Sequence, residues 1–130
     1  MTLKSPPTAV VHELAADPAA FTGVRRRTRA QLCAWGRTDL AEAAELCVTE
    51  LLANVHRHVA SSACELRLER LPGGGVRVTV ADRSHVVPVP RPEPGATEER
   101  GRGLLLIAAV SARWGTTLTA TGKQVWVELR

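Results

Sequence analysis

The sequence predicts an α+β fold, a mostly antiparallel sheet with helices packed on one face. Three observations carry that prediction. Glu45–Val59 reads as a helix, because Val48, Leu51, Leu52, Val55 and Val59 recur at the spacing of one buried face. Cys64, Leu66 and Leu68, then Val76, Val78 and Val80, alternate with polar residues on either side of Pro72-Gly-Gly-Gly75, the pattern of a β-hairpin. A second hairpin closes the chain: Thr116–Ala120, a turn at Thr121-Gly122-Lys123, and Val125, Val127 and Leu129 alternating with Trp126 and Glu128. Strands joined by such short turns run antiparallel, so the helices must cover the apolar face they share.

Met1–Thr8 is a polar lead-in with prolines, and residues 9–130 read as one domain. Ala9–Leu14 is apolar with β-branched residues and fits a first strand, although its alternation assigns no face. Asp17-Pro18 combines an N-cap acid with proline at the first helical position. Phe21, Val24, Thr28, Leu32 and Trp35 then trace one helical stripe, and Gly36 ends it. The next helix is expected to open near Asp39, with Glu42 completing a capping box, and to stop before Ser61-Ser62.

Prolines at 88, 90, 92 and 94 rule out regular helix or central strand in Arg83–Arg100. An irregular stretch of that length in a small domain is commonly a functional lid. It leads through Gly101-Arg102-Gly103 into the apolar run Leu104–Val110, a helix expected to end at Trp114-Gly115.

At 130 residues the chain can bury a core without disulfides or a structural metal. The formal charge of +4 is carried almost wholly by arginine, which permits anionic ligands without naming one. Three tryptophans, one phenylalanine and no tyrosine weigh against a base-stacking platform for single-stranded nucleic acid. Arg25, Arg26, Arg27 and Arg29 on the first helix read first as a solvated face and only secondarily as a nucleic-acid or acidic-protein surface. Cys33, Cys47 and Cys64 match no zinc spacing and read as buried free thiols of a reducing compartment. The N-terminus shows no signal-peptide or membrane-span pattern, so a cytoplasmic setting is expected.

Three polar features converge. Glu50, Asn54 and His58 lie one helical turn apart and form a row on one rod. Asp82 has the parity of Val76, Val78 and Val80, which turns a carboxylate toward the helix-covered face, a costly place without donors. Gly101–Gly103 opens a helix, where backbone N–H groups and the helix dipole favour an anion.

In this order the segments resemble the nucleotide-binding boxes of the GHKL superfamily, the Bergerat fold of gyrase, histidine kinases and MutL. The resemblance is to the anti-sigma-factor serine kinase branch and its stand-alone actinobacterial relatives. Glu50-Leu-Leu-Ala-Asn54-Val-His-Arg-His58 resembles the N box, Asp82-Arg-Ser84 the first glycine box, and Gly101-Arg-Gly-Leu104 the second. Arg113-Trp-Gly115 and Gly122–Leu129 are also similar to those relatives.

The resemblance implies a two-layer α/β sandwich with a mostly antiparallel mixed sheet and an ATP lid. It implies ATP and Mg²⁺ as cofactors, with Asn54 as Mg²⁺ ligand and Asp82 as acceptor of the adenine amino group. Gly101, Arg102, Gly103 and Leu104 would offer backbone donors to the phosphates, His58 would reach a phosphate oxygen, and Glu50 would be the general base. Ser84 and Val86 stand where the family commonly has glycines, and Gln124 where a threonine helps fix the aspartate near the base.

The implied partners are a sigma factor or an anti-sigma antagonist carrying the acceptor serine, and a homodimer is left open. A histidine kinase with its own dimerisation helices does not fit this length. The competing expectations are a partner-binding module without catalysis and, well behind it, a nucleic-acid binder.

Overall fold

The structure is a computed structural model that describes residues 7–88 and 102–130. The chain begins with strand β1 (Ala9–Ala15), a 3₁₀ turn at Pro18–Ala20 and helix α1 (Phe21–Ala34). A second 3₁₀ turn at Thr38–Leu40 leads into α2 (Ala41–His58), and β2 (Ala63–Arg70) and β3 (Val76–Asp82) follow. After the loop come α3 (Arg102–Val110), β4 (Arg113–Leu118) and β5 (Lys123–Leu129). Together they form the expected α+β architecture: a sheet ordered β1-β2-β3-β5-β4, every described pairing antiparallel, with helices on one face.

Register explains why only one face is covered. Leu66 lies opposite Val80 and Val80 opposite Val125, while Leu68, Val78 and Val127 form the adjacent row. These residues are all buried, as are Val48, Leu51, Leu52 and Val55 of α2 and Val24 and Leu32 of α1. A one-residue slip of any strand would turn its apolar row to water. The opposite face is polar: the Trp126 ring lies beneath the guanidinium groups of Arg77 and Arg113, 5.2 and 5.5 Å from its centroid. On the neighbouring strand Gly115 faces that ring, and a Cβ there would come within 2.7 Å of it.

Local chemistry corrects several expectations. Asp17 accepts a hydrogen bond from the Ala19 N–H at 3.0 Å, so it caps the short 3₁₀ turn that leads into α1. Asp39 makes no capping box: it sits inside the Thr38–Leu40 turn and pairs with Arg37 at 3.0 Å. Helix α3 ends at Val110, and Trp114 and Gly115 belong to β4, where Trp114 lies opposite Val127. Lys123 is the first residue of β5 and no part of the turn. Cys33 is exposed, whereas Cys47 and Cys64 are buried as expected. The expected lid beyond Pro88, Gly101 and the first six residues of the lead-in lie outside the described residues.

Candidate functional site

Helix α2 lies over the sheet with Asn54 and His58 near the end of β3 and the start of β5. There a cavity of about 360 Å³ opens, lined by Asn54, His58, Asp82, Ser84, Leu104 and Lys123, with Val86, Val87 and Pro88 at its margin. Of the residues singled out in the sequence, Asn54, His58, Asp82 and Leu104 are thus brought together.

Asp82 holds the helix-facing position that its parity implied and is 7% exposed. Its cost of burial is met by donors: the Ser84 N–H at 2.8 Å and the Lys123 ammonium at 3.0 Å from each carboxylate oxygen. Lys123 is itself 5% exposed and stands directly across the ladder from Asp82. The residue that faces the aspartate is therefore Lys123 and not Gln124. Gln124 pairs with Ala81, is exposed, and points with Trp126 to the other face of the sheet. The same alternation that buries Val125, Val127 and Leu129 runs back to Lys123, so its parity was the available signal. A lysine beside a turn is ordinarily solvated, which is what hid it.

Among the described residues that line the cavity, Asn54 alone has an orphaned buried atom. Its amide oxygen accepts a long hydrogen bond from Arg57 at 3.3 Å, while Nδ2 is buried without a partner among the described residues. A buried unmade donor costs about 1–3 kcal/mol, which an oxygen-rich ligand in the cavity would return. His58, the last residue of α2, is exposed at the cavity's mouth.

Glu50 is half-buried one turn before Asn54 and is not among the cavity-lining residues. Its carboxylate packs against Gly103 in the first turn of α3, where a Cβ would collide with it. Gly103 thus leaves room for the Glu50 carboxylate, a contact the sequence did not suggest. Arg102 opens α3, and Leu104 is buried at 2% exposure against the cavity. The charges of Glu50 and Asp82 are felt by neighbouring thiols. Burial first, then Glu50, pushes Cys47 up to about 12, and burial first, then Asp82, pushes Cys64 up to about 11.

Among the described residues there is no cluster of three or more His, Cys, Asp or Glu able to hold a metal alone. A cation here would need most of its ligands from a bound anion, with one amide oxygen from Asn54, the pattern hard Mg²⁺ adopts with phosphates. The donor set therefore fits Mg²⁺ brought in with a polyphosphate. The arginines of α1 are partly committed: Arg25 reaches Thr22 and Thr49, and Arg29 pairs with Glu45 at 2.9 Å. No helix among the described residues is long and apolar enough to cross a membrane.

Known proteins resemble this chain in sequence and in fold. In amino-acid sequence the chain is 43% identical over 70 residues to an uncharacterised protein of Streptomyces coelicolor, a stretch covering 52% of this chain and 67% of that one. In structure it is similar to a Mycobacterium tuberculosis chain carrying RsbU and RsbW domains, with a TM-score of 0.65 and 19% identity over 96% of this chain. It is also similar to the histidine kinase domain of a blue-light activated histidine kinase from Erythrobacter litoralis, with a TM-score of 0.53 and 19% identity over 99% of this chain. This chain spans 33% of the first of those structures and 65% of the second, and at such identities they carry the fold alone. The family model for the histidine kinase-like ATPase domain matches residues 14–129. Nearly the whole chain is covered by that match, and the chain belongs to the histidine kinase-like ATPase domain family.

Proposed function

We propose that the chain binds ATP with Mg²⁺ in the cavity beneath α2, and that this binding serves a regulatory exchange with a protein partner. The observation that carries the reading is the convergence of a buried Asp82, an Asn54 side chain whose buried Nδ2 has no partner among the described residues, and the first turn of α3 on one cavity. In this reading Asp82 accepts from the base, Asn54 ligates Mg²⁺ through its amide oxygen, and Gly101–Leu104 present backbone donors to phosphates, with His58 at the rim. Bound Mg²⁺ supplies charge neutralisation along the phosphates. Glu50 aligns a hydroxyl of the partner and takes its proton as that oxygen bonds to the γ-phosphorus and the bond to the leaving ADP breaks. The partner class is a sigma factor or an anti-sigma antagonist with an acceptor serine, in the cytoplasm.

Calorimetry with Mg-ATP tests the site. Saturable binding is expected, weakened at least about tenfold in Asn54→Ala and in Asp82→Asn, each shown folded by circular dichroism. No binding at millimolar nucleotide would sink the reading.

One observation favours a second reading, a partner-binding module without turnover: the Glu50 carboxylate rests on Gly103 and does not line the cavity. Radiolabelled ATP incubated with a co-purified partner separates the two. Transfer lost in Glu50→Gln supports the kinase, and partner capture with no transfer supports the module.

A further inference from the structure

A carboxylate alone at the end of the cavity offers acceptors only, and an ammonium offers donors only. Here the two stand side by side, both buried and both lining the cavity. Asp82 Oδ1 is already engaged by the Ser84 N–H and Lys123, whereas among the described residues Oδ2 has the Lys123 ammonium alone beside it, which leaves Oδ2 capacity to accept more. Lys123 has three donors. One is donated to Asp82 Oδ1 at 3.0 Å, with Oδ2 in ion-pair contact at the same distance, and among the described residues another meets the Ser84 carbonyl at 3.4 Å, long beside the usual 2.9–3.0 Å or so. A buried donor held that loosely gains from a better acceptor.

The pair therefore presents an acceptor next to a charged donor. The edge of adenine offers an amino donor at position 6 and an acceptor at N1. The edge of guanine or hypoxanthine offers the reverse, a carbonyl oxygen at position 6 and a donor at N1. A carboxylate with an uncharged neighbour favours the amino purine, because nothing is placed to satisfy a carbonyl. We propose that Lys123 reads the purine edge beside Asp82 and opens this site to 6-oxo purine nucleotides, guanosine and inosine triphosphates, alongside ATP. The inference rests on the nucleotide reading above and adds a specificity-determining residue to it.

The test is calorimetry of Mg-ATP, Mg-GTP and Mg-ITP against the intact chain and against Lys123→Thr. The native chain is expected to bind GTP and ITP within about tenfold of ATP, and Lys123→Thr to weaken both at least about tenfold relative to ATP. A preference for ATP above about a hundredfold in the native chain, or a ratio that Lys123→Thr leaves unmoved, overturns the proposal. If Lys123→Thr fails to fold with Asp82 left unpaired, the ITP-to-ATP ratio of the native chain decides alone. ATP binding with strong discrimination removes this inference and leaves the nucleotide reading standing. Absence of binding by all three removes both.

Discussion

Gly103 shows how a single missing methyl group positions a candidate catalytic group. Its Cα is the surface on which the Glu50 carboxylate rests, so Gly103→Ala must push that carboxylate aside. The displaced atoms are the free end of a flexible side chain, and alanine suits a helix better than glycine. Stability measured by urea unfolding is therefore expected to stay within about 1 kcal/mol of the parent, while phosphotransfer to a co-purified partner falls at least about tenfold. Unchanged transfer would show that Glu50 braces α3 and does no more. At this scale the sequence was an uneven guide. Asn54 was legible as part of a polar row beside an apolar helical stripe, and Asp82 because strand periodicity places it on an apolar face, where its presence needs a reason. Lys123 obeys the same periodicity, but it adjoins a turn, and the frequency of solvated lysines there outweighed its parity. Cys33 failed in the opposite direction: it lies within an apolar-looking stretch, yet α1 turns it outward.

The β4–β5 hairpin is the element on which the base end of the cavity depends. Its turn is held by the Thr119 N–H to the Gly122 carbonyl at 2.9 Å and by the Gly122 N–H to the Thr119 hydroxyl at 3.1 Å. A Cβ on Gly122 would overlap the Asp82 carbonyl and the Arg83 backbone, atoms that cannot swing away as a side chain can. Gly122→Ala is expected to destabilise by about 2–3 kcal/mol, read as a lower urea midpoint with unchanged slope, and to weaken nucleotide binding by moving Asp82. Loss of neither property would mean the turn relaxes freely. The hairpin and a first strand from Thr116 were readable beside the Val125–Leu129 alternation, but that strand's start at Arg113 was not. Arg113–Leu118 follows an apolar helical run after only Ser111-Ala112, and Trp114 extends that run's hydrophobic pattern across the boundary. What settles the matter is register: Trp114 meets Val127 and Gly115 leaves room for Trp126, contacts that no local window contains. The absent capping box at Asp39 has a similar cause, since Arg37 is the stronger local partner for that carboxylate.

Across the whole molecule, the two faces of the sheet divide the work. One face builds the core and the cavity; the other carries a charged lattice in which Glu128, 1% exposed, lies beneath Arg113, Arg77 and Arg130. Hydrogen bonds from Arg113, then from Arg77, hold the Glu128 carboxyl down to about 2 against desolvation, from an ordinary 4.5. A depressed folded value stabilises at pH above the unfolded value, and that stability is lost as pH falls from about 4.5 through about 2. The arginines face water, so screening leaves on the order of 1–2 kcal/mol at neutral pH, which Glu128→Gln should remove along with the acid limb between those values. An acid limb identical in Glu128→Gln would assign the effect elsewhere. The overall architecture was legible because two hairpins and two amphipathic helices admit few arrangements, while the pairing of β3 with β5 depends on long-range contact and was not. The Asp82–Lys123 pair has one more consequence, at the scale of descent. Two opposite charges facing each other across buried strands cannot be exchanged one at a time without stranding the survivor. A change at either position is therefore expected to call for a change at the other, and threonine in place of the lysine to call for another donor or for water.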